Sequence, residues 1–592
     1  MQERQEEYQA NITNNTAAFQ EVKKKITQIV VLRIFVFVAT FFGCYLFSYN
    51  AGLAISTGVS GVLAFVFMVQ YHSKLDRKKN YFEELISINE IEIEALNGNI
   101  ENLENGAEFL NPNHHYSYDI DLFGDGSFFQ FFNRTKTLGG RKKLASIIVS
   151  NEIDNIENKQ AAIKELAKNS KERQHFWASA GTIKTETTSK TVEDWLKNYK
   201  TFASSKLISF LIILFPIVSA ILLGLLSVDL IDSMVFIIWF FAGLIITGVF
   251  LKRVNAIYNE ANKITDTINQ YSELLQIIEL SDFKSELLIE QQEKIKTESA
   301  NASLILKKLG RALDRLNSRN NFIVGIFGNA LLLWDVLSIH LLEKWINNYS
   351  MKVESWFDSI YYIDAIQSSA NYAYNHPNFC FPKINNDDMV IEAKALGHPL
   401  IPEAKRINND FSIDKKNFII ITGANMAGKS TFLRTLSLNI VLANAGLPAS
   451  AKEFNYSPVK LITSMRTSDS LQKEESYFFS ELKRLKFIVD NIKTEKYFII
   501  LDEILKGTNS KDKEMGSKKF VEKLVASGST GIIATHDLGL CEIHKRFPQV
   551  INNYFDAEII NDELYFDYKF KEGICQNMNA SFLLKKMEIV AD

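Results

Sequence analysis

The densest chemistry in this chain lies where Phe418-Ile419-Ile420-Ile421-Thr422 runs directly into Gly423-Ala424-Asn425-Met426-Ala427-Gly428-Lys429-Ser430-Thr431. The β-branched and aromatic run predicts a buried strand. The two glycines, the intervening spacing and the closing Lys-Ser predict a phosphate-binding loop that enters a helix over residues 431–447. Glycine lets successive backbone N–H groups wrap an anion where a Cβ would intrude, and the helix N-terminus adds positive potential. Lys429 would reach the β- and γ-phosphates and the Ser430 hydroxyl would ligate Mg²⁺, which makes the whole loop from Gly423 to Thr431 the expected nucleotide contact.

A second predicted strand, Tyr497-Phe498-Ile499-Ile500-Leu501, ends in Asp502-Glu503. A carboxylate at a strand end can hold Mg²⁺ through water, and its neighbour can polarise an attacking water as general base; Asp502 takes the first role and Glu503 the second. A third strand, Thr530-Gly531-Ile532-Ile533-Ala534, leads to Thr535-His536-Asp537 and puts His536 where it could sense a γ-phosphate. A histidine taken alone is more often structural; the strand-end context is what singles out His536. Strand ends of open α/β sheets converge on one crevice, so the three segments are expected to meet.

The elements that must position this site belong to a chain of 592 residues, long enough for two to four domains. A net charge of -3 gives no global attraction to nucleic acid, so any such contact must be a local patch. Cys44, Cys380, Cys541 and Cys575 show neither a metal-ligand spacing nor a disulfide framework, which fits a reducing compartment.

Residues 34–70 carry no charge, with Lys23, Lys24 and Lys25 before them and Lys74, Arg77, Lys78 and Lys79 after. Two spans joined at Tyr49-Asn50-Ala51-Gly52 would fit a roughly 30 Å hydrocarbon core at about 1.5 Å per residue. The pattern recurs: residues 207–226 and 233–251 are uncharged, Lys200 and Lys206 precede them, and Lys252 and Arg253 follow. Both hairpins leave their basic flanks on one side, which predicts a multi-pass protein of the cytoplasmic (inner) membrane with everything after residue 252 in the cytoplasm. The competing reading is a pair of buried hairpins in a large soluble core. Residues 322–342 tempt a fifth span, but Asp335 and His340 favour a packed soluble helix, and an odd count would strand the nucleotide site away from ATP.

Residues 256–319 are rich in Glu, Lys, Leu and Ile with a single glycine, Gly310, which predicts long lever-like helices. Lys308, Arg311, Arg315 and Arg319 fall at spacings of three and four and would share one face, able to contact phosphates of DNA or of lipid; a plain solvated face is the competing reading.

The loop with Asn425-Met426 at its centre resembles that of the MutS family of ABC-type ATPases, where an Asn-Met pair fills the same place. The likeness continues through Leu501-Asp502-Glu503, Lys506-Gly507-Thr508-Asn509-Ser510 and Ala534-Thr535-His536, and upstream through Gly397-His398-Pro399-Leu400 and Asn408-Asn409-Asp410. Asp121-Leu122-Phe123, residues 133–141 and Ile156-Glu157-Asn158-Lys159-Gln160 are similar to the opening of the MutS core, so the resemblance covers most of residues 115–170 and 355–592. It implies an ATP- and Mg²⁺-dependent hydrolase and a homodimer in which Ser476 of one subunit reaches the nucleotide of the other. It also implies a nucleotide contact for Asn409 and DNA as the polymer acted on. The chain departs from the family at Ala424 and Ala427, usually proline and glycine, at Lys506, usually arginine, and near Arg406, where an aromatic residue normally stacks on adenine. Residues 1–110 hold a polar leader, a hairpin and an acidic link, and nothing there resembles the mismatch-reading domain with its Phe-x-Glu wedge, so mismatch recognition itself is not expected.

The expected fold class is thus an α/β P-loop (ABC-type) ATPase domain at the C-terminus, preceded by a mostly α-helical core and lever region carrying two transmembrane hairpins. The expected partition is a leader at 1–27, hairpins at 28–71 and 207–251, a helical linker at 72–114, a core start at 115–206, levers at 252–380 and the ATPase domain at 381–592. The alternative function is a membrane ATPase of transporter or scaffold type that does not act on DNA. Against transport, the spans carry only Arg33 and Asp232, both at edges, and the region of Ser476 lacks a Ser-Gly-Gly-Gln signature.

Overall fold

The first charge-free run folds as two antiparallel helices, Gln2–Leu46 (α1) and Ala51–Leu96 (α2), in the computed structural model, which describes residues 2–182, 189–203, 205–297, 300–466, 477–560 and 563–576. Asn50 opens α2 as an N-cap, its side chain accepting from the Leu53 N–H at 3.2 Å. Both helices continue well past the apolar run as a polar stalk whose far end docks onto the body of the protein. There the buried Glu92 accepts from Arg134 Nε at 2.7 Å, Asn371 Nδ2 at 2.9 Å and Asn375 Nδ2 at 2.8 Å, and the Tyr8 hydroxyl donates to Asn375 Oδ1 at 2.7 Å.

The second run folds as Lys206–Ser227 (α3) and Ser233–Leu280 (α4), capped by Ser205 and Asp232 and joined side to side by Phe215 and Trp239, whose rings stack at 4.2 Å. α4 passes its basic flank at Lys252 and Arg253 without a break and becomes part of the helical body. α1, α2, α3 and α4 are each long and apolar enough to cross a membrane.

Residues 322–342 do not form the single packed helix expected of them. A π-helical turn, Val324–Gly328, leads into Asn329–Leu332, and a 77° bend at Leu333, left-handed at φ 50°, separates this piece from the helix Trp334–Asn375. Only the second part, with Asp335, Val336, Ser338, Ile339 and Leu342 buried, matches the expectation; the first lies against α4 and leaves Phe322, Ile323 and Phe327 exposed.

Ala302–Asn317 (α5) and Trp334–Asn375 (α6) belong to the helical body, and α6 is the longer of the two. Its buried Glu343 accepts from the Phe202 and Ala203 N–H groups at 2.7 and 2.8 Å, which ties the entry to α3 onto it. Its buried Asp364 accepts from the Thr137 N–H and hydroxyl, both at 2.8 Å, and so holds the start of the helix Leu138–Val149. Burial pushes the Asp364 carboxyl up to about 6, against the pull of these donors.

The C-terminal part is a sheet domain. Phe418–Gly423 (β1), Lys460–Ser464 (β2), Tyr497–Asp502 (β3), Thr530–Ala534 (β4), Val550–Phe555 (β5) and Lys571–Glu572 (β6) pair in the order β6-β5-β1-β4-β3-β2, parallel except for β6. β1 is central and buried on both faces, as a continuous apolar run requires: Ile419 and Ile421 join the core shared with α6, Phe418 and Ile420 the core under the opposite helices. That shared core runs unbroken from Trp356, Phe357 and Ile360 of α6 to Leu433 and Leu436 of Lys429–Asn444 (α7). A smaller four-stranded sheet, which includes Met389–Leu396 and Asn409–Asp414, flanks the first.

Candidate functional site

β1 delivers the loop between two strand neighbours, β4 and β5, and the backbone there takes shapes that its residue types permit. Gly423 has φ 149°, and a Cβ on it would overlap the Phe555 carbonyl; Gly428 has φ 103° and a Cβ would sit 3.0 Å from the Tyr568 ring. α7 begins at Lys429, so its free N–H groups point into the loop. A cavity of about 690 Å³ opens there, lined by Asn425, Met426, Gly428, Lys429, Ser430 and Thr431 from the loop and by Asp502, Glu503 and His536 from the ends of β3 and β4.

Lys429 is buried, its ammonium donating to the Gly423 and Ala424 carbonyls at 2.8 and 2.9 Å. Burial lowers its pKa, and Glu503 and Asp502 work in the opposite direction. His536 Nε2 stands 2.7 Å from Glu503 Oε1 and 3.4 Å from Lys429 Nζ. One ring nitrogen cannot donate to the first and accept from the second, and the shorter contact assigns its proton to Glu503. That hydrogen bond, against the cost of burial, holds the Glu503 carboxyl down at about 2. Glu503 itself is left-handed at φ 48°, with its N–H donating to Ala534 O at 2.9 Å, so β4 positions it as firmly as β3 does. Lys506 Nζ lies 3.9 Å from Glu503 Oε2 and keeps a cation beside the pair.

The structure therefore brings Lys429, Ser430, Asp502, Glu503 and His536 to one cavity. Ala427 is fully buried beneath the loop and Met426 is exposed, left-handed at φ 65°. Asn409 lines the cavity but spends its side chain elsewhere: its Nδ2 donates to Tyr568 O at 3.0 Å and its Oδ1 accepts from the Phe570 N–H at 2.9 Å. These two bonds fasten Tyr568 and Phe570 to Asn409 beside the cavity. Ser476 lies outside the described residues. The helix just after it, Tyr477–Asn491 (α8), touches the site, since the buried Glu481 accepts from the Lys506 N–H at 3.3 Å.

The four basic residues proposed as one face do not stay together. Lys308, Arg311 and Arg315 are exposed on α5, but the helix ends at Asn317, and Arg319, on the following tight turn, is paired with the buried Asp335 at 3.1 Å and with Asn255 Oδ1 at 2.7 Å. Arg319 is withdrawn from the face.

Sequence reasoning did not name Tyr568, Lys405, Ile407 and His398 as cavity residues, and all four line it. The signal for His398 was present in its segment. Tyr568 carried none, because it is the Asn409 side chain and the pairing of β6 with β5 that bring it back over Gly428.

A mostly helical region closed by a parallel-sheet domain with a glycine loop at its central strand defines a class, and comparison with known proteins agrees with it. The family model described as MutS domain V matches residues 419–588. MutS protein homolog 4 of Homo sapiens is 29% identical over 204 residues, 32% of this chain and 21% of that protein. The DNA mismatch repair protein MutS of Fusobacterium nucleatum subsp. nucleatum is 32% identical over 225 residues, 36% of this chain and 25% of that protein. MutS protein homolog 4 of Mus musculus is 28% identical over 194 residues, 31% of this chain and 20% of that protein. Over residues 419–588 the chain is thus similar to MutS domain V. Its match spans a quarter or less of the length of these relatives.

Proposed function

We propose that this protein is a membrane-anchored, Mg²⁺-dependent ATP hydrolase of MutS type whose nucleotide cycle works the lever α6. The observation that carries this reading is the convergence of Lys429, Glu503 and His536 at the ends of three adjacent parallel strands beside a glycine loop. The residues present suit a magnesium nucleotide. Ser430 and Asp502 offer hard oxygen donors on one cavity, the donor type that Mg²⁺ takes. Mg²⁺ held by Ser430 and Asp502 would neutralise phosphate charge. Lys429 would exchange the Gly423 and Ala424 carbonyls for phosphate oxygens. Glu503, ionised at every ordinary pH, would accept a proton from the attacking water, with His536 aligning it and reporting on the γ-phosphate.

Two such chains would pair through the region of Ser476 and open and close with ATP. DNA is the proposed polymer, because one relative carries the name of a DNA mismatch repair protein. The residues available to it on α5 are Lys308, Arg311 and Arg315. The hairpins would hold the ATPase domain on the cytoplasmic side.

The test is Mg²⁺-dependent ATP turnover by the full chain in lipid nanodiscs. The reading predicts turnover that Glu503→Gln abolishes while ATP binding persists, and salt-sensitive retention of duplex DNA in that ATP-locked form. Absence of turnover in the wild type would remove the enzyme; turnover with no DNA retention at low salt would leave an ATPase of transporter or scaffold type.

A further inference from the structure

Residues 320–334 contain no charge, and the two charges that flank them are each other's partner: Arg319 Nη2 lies 3.1 Å from the buried Asp335 Oδ2. The ends are fastened a second time, since Trp334 Nε1 donates to Arg315 O and to Ser318 Oγ, both at 3.1 Å. A chain that crossed a bilayer would leave these ends about 30 Å apart and would need about 20 apolar residues. This one goes out and comes back.

Between its ends the segment leans on the second hairpin. A Cβ on Gly243 of α4 would overlap the Ala330 carbonyl, so the glycine lets the two backbones touch. The Phe327 and Phe240 rings meet at 5.7 Å, and Leu333 and Val336 are buried against Ile212 and Phe215 of α3. Every one of these hairpin partners lies inside the uncharged runs 207–226 and 233–251. The opposite side is bare: Phe322 is 75% exposed, Ile323 65% and Phe327 50%. An apolar face continuous with the exposed apolar sides of α3 and α4, at the same depth, matches acyl chains rather than water. At its base, Arg315 lies over the Trp334 ring at 5.6 Å, the pairing of cation and indole found where lipid meets water.

We propose that residues 322–332 are a re-entrant membrane segment that enters the lipid from the cytoplasmic side beside the second hairpin and returns to that side, with Phe322, Ile323 and Phe327 against acyl chains. This rests on the reading of α3 and α4 as membrane-spanning. The lever α6 then begins inside the membrane unit, and the number of crossings stays even, so the nucleotide cavity keeps its side.

Single cysteines at Ile323, Phe327, Ile238 and Leu304, all exposed, would be spin-labelled in the full chain with Cys44, Cys380, Cys541 and Cys575 replaced by serine, then reconstituted into liposomes. The expected result is oxygen accessibility exceeding that of a water-soluble nickel chelate at Ile323, Phe327 and Ile238, and the reverse at Leu304 of α5. Aqueous behaviour at Ile323 and Phe327 with lipid behaviour at Ile238 overturns this inference alone; aqueous behaviour at Ile238 as well overturns the hairpin reading and takes the inference with it. In sealed vesicles, Asn320→Cys and Lys344→Cys should react with an impermeant maleimide from the same face. Reaction from opposite faces would make the segment a fifth span and overturn re-entry.

Discussion

At the scale of single residues, the site is poised by one hydrogen bond. The hydrogen bond from His536 is the chief cause that holds Glu503 down at about 2, so Glu503 stays ionised until pH falls toward that value. A carboxyl held below its unfolded value stabilises the fold above about pH 4.3, and that contribution is lost as pH falls through the folded value. Glu503→Gln should therefore lower single-turnover hydrolysis by about 10²- to 10⁴-fold at neutral pH with ATP affinity retained. A variant that hydrolysed at the wild-type rate would assign the base elsewhere. His536→Ala removes the main cause of the depressed pKa, and the acid limb of the pH–rate profile should move upward, which a rate series between about pH 3 and 7 would show. Lys429→Ala should abolish nucleotide binding itself, since no other described residue lining the cavity brings a buried ammonium against the loop; equilibrium binding of a fluorescent ATP analogue reads this directly.

At the scale of elements, what was legible in the sequence was what is contiguous. Strand, glycine loop and helix follow one another from Phe418 to Asn444, and Asp502, Glu503 and His536 sit at strand ends marked by short apolar runs, so local pattern placed them near one another. Where partners are distant, the pattern carried nothing. Asn409 points to the backbone at residues 568 and 570, and Arg319 reaches Asp335 across a break in the chain. That break has neither proline nor glycine at it, because Leu333 itself takes the left-handed turn; apolar continuity alone reads as one helix. The stalk is a further case: charge-free runs announced the hairpins, but not that α1 and α2 run on as helices to dock at Glu92. This joint has its own prediction. Glu92→Ala leaves the nearly buried Arg134 without its carboxylate and should cost about 3–5 kcal/mol, read as a shift in the denaturation curve of the detergent-solubilised protein. Adding Arg134→Met removes the stranded charge and should recover part of the loss; a double variant no more stable than Glu92→Ala would show that the pair is not the source.

At the scale of the whole molecule, the helical body and the sheet domain share one core, and three neutral histidines sit along that junction. His114 caps the region where residues 114–116 meet the helix Leu138–Val149, His376 follows the end of α6 and packs on Phe379 at 4.8 Å, and His398 lines the cavity beside the glycine loop. Burial lowers each to about 4; Arg406 adds to the effect at His376, and Arg434 and Arg406 do so at His398. The unfolded chain holds these rings near the ordinary value of about 6.5, so between about pH 6.5 and 4 it binds protons that the native state refuses. Stability from this source is complete above that window and is lost as pH falls through it, at up to about 1.4 kcal/mol per pH unit for each ring. Mild acid should therefore loosen the joint between α6 and the sheet domain while Glu503 is still ionised. Denaturant midpoints of the reconstituted protein should fall steeply from about pH 6.5 to 4.5, and His376→Gln should reduce that slope by about one proton. An unchanged slope would mean that His376 titrates normally and that the packing of Tyr372 and Phe379 around it does not hold it neutral.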